Sequence, residues 1–179
     1  ASETLCKGLA TGSAEKAKQA VADLEKILYP LHKEAKSYTI HAVGHAHIDM
    51  TWIFSWQETV ATTCDTMTTV LKLMEEFPEL KFSQDQAAVY RILEEYQSEL
   101  LDMIRAQIAR GHWEVSATHW VEADKNMVTG ESLIRQITEA REYLRVLFGL
   151  TSAELPLQWN PDTFGHCADY PSILAGADI

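Results

Sequence analysis

The sequence predicts an α/β fold, a parallel sheet or a (β/α) barrel-like domain with long helices, and three observations carry that prediction. Short β-prone runs recur four times, long amphipathic stretches separate them, and glycine or proline closes most of those stretches. Strands that alternate with helices build βαβ units, whose strands lie parallel.

In chain order, residues 13–36 read as an N-terminal helix. Ser13 could cap it, and Ala17, Ala20, Val21, Leu24, Ile27 and Leu28 form its apolar stripe, with Pro30 interrupting or ending it. Tyr38 to Gly44 is a β-prone run and reads as a buried strand. A helix spans roughly 54–76 and closes at Phe77-Pro78. Leu80 to Gln84 is the second strand, and residues 87–109 the next helix, ended by Gly111. Trp113 to Ser116 is the third strand, 131–148 a helix stopped by Gly149, and Leu155 to Trp159 the fourth strand. Tyr170 to Ala177 begins a last helix, and Ala175 to Ile179 reads as its end running into a further strand. The expected organisation is a helical segment over 1–37 and one α/β portion over 38–179. The chain is expected to stop in mid-fold, as a fragment or as a subunit whose sheet another chain continues.

The 179 residues suffice for one domain with a sizeable core. With 46% apolar and 23% charged residues the composition is that of a soluble globular protein. The net charge of −11 argues against nucleic acid or an anionic membrane as partner, since an acidic surface repels both. Residues 1–37 contain no apolar core resembling a signal peptide, and no run approaches a membrane span. Cys6, Cys64 and Cys167 are odd in number and widely spaced, which points away from a disulfide framework and toward a cytoplasmic setting.

Parallel α/β folds bind ligands at the carboxyl ends of their strands. The chemically distinctive residues of this chain fall there: His45, His47 and Asp49 after the first strand, and Gln84 and Asp85 after the second. His119, Trp120, Glu122 and Asp124 follow the third, and Asp162 and His166 the fourth. His47 and Asp49, two residues apart, leave one face of an extended backbone and can share an ion, or can be a loop histidine beside an exposed aspartate. Asp162 supplies a third ligand if the first and fourth strands approach. Otherwise it can cap the following helix. His45 can be a ligand or a group that hydrogen-bonds one. Trp52 is a core residue or a stacking platform for a sugar ring, and Phe164 stands beside Asp162.

Four segments in register resemble the α-mannosidases of glycoside hydrolase family 38, most closely the cytosolic and bacterial branch. They are His45-Ala46-His47-Ile48-Asp49 with Trp52; Gly111-His112-Trp113 through Trp120-Val121-Glu122-Ala123-Asp124; Gly130 to Gln136; and Trp159-Asn160-Pro161-Asp162-Thr163-Phe164-Gly165. The resemblance runs from about residue 38 to the end. It implies a retaining α-mannosidase with one zinc ion, in which His47, Asp49 and Asp162 match zinc ligands. Asp162 also matches the nucleophile, and Trp52 and Phe164 match residues that contact the sugar. It implies mannose-containing oligosaccharide as substrate. The family's fourth zinc ligand, a later histidine, and its general acid lie beyond the matched region, so a further segment or chain would complete the site and this chain alone would be inactive. Asp85, His119, Glu122, Asp124 and His166 are candidates for lining the site without assigned roles, and Glu131 reads as a first-turn acid of its helix. Two other readings stand beside this one. His45-x-His47 also resembles the metal pair of amidohydrolase barrels, and a non-catalytic subunit would only assemble with, or bind sugar for, another chain.

Overall fold

The structure is a computed structural model that describes residues 14–179. The cap expected at Ser13 lies outside the described residues, as does Cys6. The chain divides between His41 and Ala42 into two compact units.

In the first unit the expected single helix is three pieces. Helix α1 (Ala14–Leu28) gives way to a 3-10 turn at Tyr29–Leu31 and then to α2 (His32–Ala35). Pro30 is the cause: it has no N–H to donate and sits at the start of the turn. Of α1's residues only Ala20 is buried. Tyr38 to Val43 form no strand; Ile40 is 90% exposed.

The second unit is built on three parallel strands in the order β1 (Gly44–His45), β2 (Phe82–Gln84), β3 (Trp113–Val115). Gly44 pairs with Phe82, and Phe82 with Trp113. A side chain at Gly44 would put its Cβ 3.1 Å from the Phe82 ring, which would have to give way by a few tenths of an ångström, so glycine eases the close approach of β1 to β2. The expected fourth strand does not form. Residues 155–159 make no ladder, and are held instead by side chains: Thr118 Oγ1 donates to Gln158 Oε1 at 3.0 Å, and Leu155 is buried.

Helix α3 (Trp56–Glu76) starts in a capping box, in which Ser55 Oγ accepts from the Glu58 N–H and the Glu58 carboxylate accepts from the Ser55 N–H. It buries Thr59, Thr63, Met67, Val70, Leu71 and Met74, a stripe of helical period. The expected helix over 87–109 is two, α4 (Ala87–Tyr96) and α5 (Glu99–Ala109), because Gln97 leaves helical geometry with φ −156° and ψ 58°. Helix α6 (Gly130–Phe148) begins at Thr129, whose hydroxyl accepts from the Ser132 N–H, and ends at Gly149 with φ 74°. Helix α7 is Tyr170–Gly176. Beneath these helices Phe82 and Trp113 pack ring on ring at 4.8 Å. Trp113 Nε1–H donates to Tyr90 Oη, which donates to the Gln84 carbonyl, so the buried hydroxyl and indole are both satisfied. Among the described residues no helix is long and apolar enough to cross a membrane.

Candidate active site

The segments leaving the carboxyl ends of the strands enclose a cleft of about 350 Å³. The residues after β1 alternate: Ile48 is buried, while His47 and Asp49 line the cleft. The chain then turns sharply at Thr51, with φ 63°. The Thr51 N–H donates to Thr59 Oγ1, which itself donates to the Asp49 carbonyl. Helix α3 therefore fixes Asp49 and aims Trp52 outward.

After β2, Gln86 adopts φ 61°, a backbone conformation costly for a side chain of its type. That turn lets one buried amide join two loops. Gln86 Nε2 donates to the Ile48 carbonyl at 2.8 Å, and its Oε1 accepts from the Glu122 N–H at 3.0 Å. The segment after β3 meets the start of α4, where the His119 and Trp120 carbonyls accept from the Ala87 and Ala88 N–H groups. Glu122 is thereby carried to the cleft floor. The Pro161 to Gly165 turn approaches it, the Asp162 N–H donating to the Glu122 carboxylate at 3.3 Å.

His47 is the centre of this arrangement. Its Nε2 lies 3.1 Å from Asp49 Oδ1 and 3.8 Å from Asp162 Oδ2, and its Nδ1 lies 3.4 Å from Glu122 Oε2. One donor atom each from His47, Asp49 and Asp162 fall within 4.8 Å of one another. Zinc bonds of about 2.0–2.2 Å in a tetrahedral shell set donors roughly 3.3–3.6 Å apart, so an imidazole and two carboxylates at these separations fit such an ion. Trp52 and Phe164 stand at the cleft mouth, 72% and 85% exposed, two large rings given to solvent beside the donors.

Below the cleft the polar groups are sealed. Asp85 is completely buried between His45 Nε2 at 3.5 Å and His119 Nε2 at 3.8 Å. Burial pushes its carboxyl up to about 7; the His47 charge opposes this and the Glu122 charge adds to it. His45 Nδ1–H donates to the Ser83 carbonyl at 2.8 Å, which turns its Nε2 toward Asp85. Burial, and then the Lys125 charge, push His119 down to about 3, and its Nδ1 contacts the Gln158 amide. Lys125 is itself lowered by burial, and its ammonium stands 3.8 Å from Glu122 Oε1.

All five residues expected to bind metal or sugar therefore line one cleft. His45 does not join the three-donor group, since it faces Ser83 and Asp85, and that removes the pairing with His47 on which the amidohydrolase likeness rested. Asp124 lines the cleft and accepts from the Asn126 N–H, whereas His166 stacks on Tyr170 away from it. Glu131 pairs with Arg135 in the first turn of α6. Gln86, Lys125 and Gln158 went unnoticed in the sequence. Gln86 and Gln158 sit at ends of β-prone runs, where position alone was a signal. Lys125 offered none, because nothing local marks a lysine as buried.

Residues 37–179 match the family model described as the glycosyl hydrolases family 38 N-terminal domain. The chain belongs to glycosyl hydrolase family 38. Among its relatives, the human alpha-mannosidase 2C1 is 34% identical over 148 residues, covering 83% of this chain and 14% of that protein. Alpha-mannosidase G of Dictyostelium discoideum is 32% identical over 150 residues, covering 84% and 14%. The yeast alpha-mannosidase is 31% identical over 142 residues, covering 78% and 13%. This family 38 chain thus spans about a seventh of the length of the curated relatives it matches. In fold it resembles the crystal structure of an alpha-mannosidase from Enterococcus faecalis, with a TM-score of 0.66 at 21% identity over 76% of this chain and 15% of that one.

Proposed function

We propose that this chain carries the nucleophile and three of the metal ligands of a zinc-dependent retaining α-mannosidase. The observation that carries the proposal is the meeting of His47 and Asp49 with Asp162, from loops more than a hundred residues apart, beneath two exposed rings in a family 38 domain. His47 Nε2, Asp49 and Asp162 would hold the ion. When bound, zinc supplies a Lewis-acidic centre that takes up sugar hydroxyl oxygens and favours the ionised form of nearby carboxylates.

The chain's own groups do the rest. Trp52 and Phe164 present apolar faces that take the C–H face of a pyranose and exclude water from one side of it. An Asp162 carboxylate oxygen attacks the anomeric carbon as the glycosidic C–O bond breaks, and the departing oxygen takes a proton from a carboxylic acid elsewhere in the enzyme. Water then releases mannose from the Asp162 ester, with net retention of configuration. The substrate is a terminal α-mannoside of an oligosaccharide, and a further segment completes the site.

The test uses the full-length protein and a fluorinated mannosyl fluoride that reacts quickly and is released slowly. The peptide containing Asp162 should gain one fluoromannosyl mass, and zinc should be present at one ion per chain. A label on another carboxylate, or hydrolysis with inversion, overturns the proposal.

A further inference from the structure

We infer that Glu122 is the positioning residue of this site, the one side chain that sets both the direction of His47 and the height of the Asp162 turn. Its carboxylate is 6% exposed, and the Asp162 N–H lies within hydrogen-bond distance of both its oxygens, 3.3 Å from Oε1 and 3.4 Å from Oε2. Oε2 faces His47 Nδ1 at 3.4 Å, and that nitrogen is buried and makes no hydrogen bond, so the Glu122 carboxylate is the acceptor nearest to hand. Oε1 accepts from the Asp162 N–H at 3.3 Å, across 40 residues of sequence. The backbone N–H of Glu122 is held in turn by Gln86, which also grips the Ile48 carbonyl between His47 and Asp49. Four points of the cleft therefore hang from two buried side chains.

With an ion on Nε2, a carboxylate facing the far nitrogen would hold the proton at Nδ1 and make the imidazole a stronger donor. The Lys125 ammonium, itself buried, lies 3.8 Å from Oε1. Glu122 touches neither sugar nor reacting atoms in this arrangement and acts through His47 and Asp162. The His47 part of the inference rests on the zinc reading proposed above. The Asp162 part stands without it.

The test compares the intact full-length protein with Glu122→Ala and Glu122→Gln, in two measurements. Amide hydrogen exchange of the metal-free protein should show the Asp162 N–H protected, and its exchange should quicken severalfold in Glu122→Ala. Zinc affinity, read by competition with a chromophoric chelator, should fall about 10- to 100-fold in Glu122→Ala. Glu122→Gln keeps the shape but loses the charge and replaces one acceptor oxygen by an N–H donor, so it can accept from only one of His47 Nδ1–H and the Asp162 N–H, and it should lie between the two. It also serves as the decisive variant if Glu122→Ala does not fold. An unprotected Asp162 amide in the parent protein, or zinc affinity unchanged in Glu122→Gln, overturns the inference. Two zinc ions per chain also overturn it, since Glu122 would then ligate with Asp85 and His47, whose donor atoms lie within reach of one ion. A protected Asp162 amide that Glu122→Ala releases, in a protein that binds no zinc, supports the inference and defeats the zinc reading alone.

Discussion

Asp162, Trp52 and Phe164 stand in solvent at the mouth of the cleft, whereas Asp85, Gln86 and His119, at the ends of neighbouring strands, are sealed beneath it. Both sets are polar or aromatic groups at one edge of one small sheet. The outer set has few protein partners and two bare rings, an arrangement that leaves its interactions to a ligand. The inner set is hydrogen-bonded where it can be and carries strongly shifted protonation equilibria. It holds the loops in place. Perturbed protonation is often taken as the mark of the reacting group. Here the groups with the largest shifts are those farthest from solvent, and burial is the cause in each case.

Mutations can break this comparison, beginning with the largest effect. Asp162→Ala in the full-length enzyme should lower hydrolysis of an aryl α-mannoside by at least about 10⁴-fold and weaken metal binding with it, while the melting temperature of the metal-free protein barely moves. Near-normal turnover would remove Asp162 from the reaction. His47→Ala should cut zinc affinity by more than about 100-fold, since a ligand is lost rather than its support, and should cost metal-free stability less than about 1 kcal/mol. Stability lost without a change in metal content would make His47 an inner residue after all.

The inner tier predicts a pH signature. The folded-state pKa of His119 is depressed to about 3, so its contribution to stability is present above pH 6.5 and lost as pH falls toward 3. That of Asp85 is raised from 3.8 to about 7, so its contribution is present below pH 4 and lost as pH rises through 7. The two oppose each other over most of this range. Asp85→Asn removes one arm, and urea melts of the metal-free variant should then show stability rising from pH 4 to 6.5 more steeply than in the parent. Equal slopes would show that Asp85 does not hold its proton. The smallest effect belongs to the rim. Trp52→Ala or Phe164→Ala should each raise KM roughly fivefold, about 1 kcal/mol of lost stacking, and leave the unfolding free energy within about 0.5 kcal/mol.

Particular elements show what a linear reading can reach. The capping pair Ser55 and Glu58, the Gly149 terminus and the helical stripe from Thr59 to Met74 are local, and local chemistry governs them. The break at Gln97 was invisible because Leu93 and Leu100 are seven residues apart, so the apolar stripe keeps its phase across it. The strand expected at Leu155 to Trp159 has the right residues. A strand, however, exists only through a partner, and this segment is held by Gln158, Leu155 and the edge-to-face contact of Trp159 with His45 instead.

By itself the sequence determined the α/β alternation and the edge of the sheet where chemistry collects, and its resemblance to family 38 singled out His47, Asp49, Asp162, Trp52 and Phe164 as the residues to watch. Residue type and spacing suffice for the alternation, since each element is set by neighbours within a turn or two of chain. Only the tertiary structure decided that His45 turns inward, that Asp85 is sealed, and that Gln86 and Glu122 tie the loops together. Burial and hydrogen bonds across 36 to 40 residues depend on how the strands pack side by side, and no local pattern encodes that.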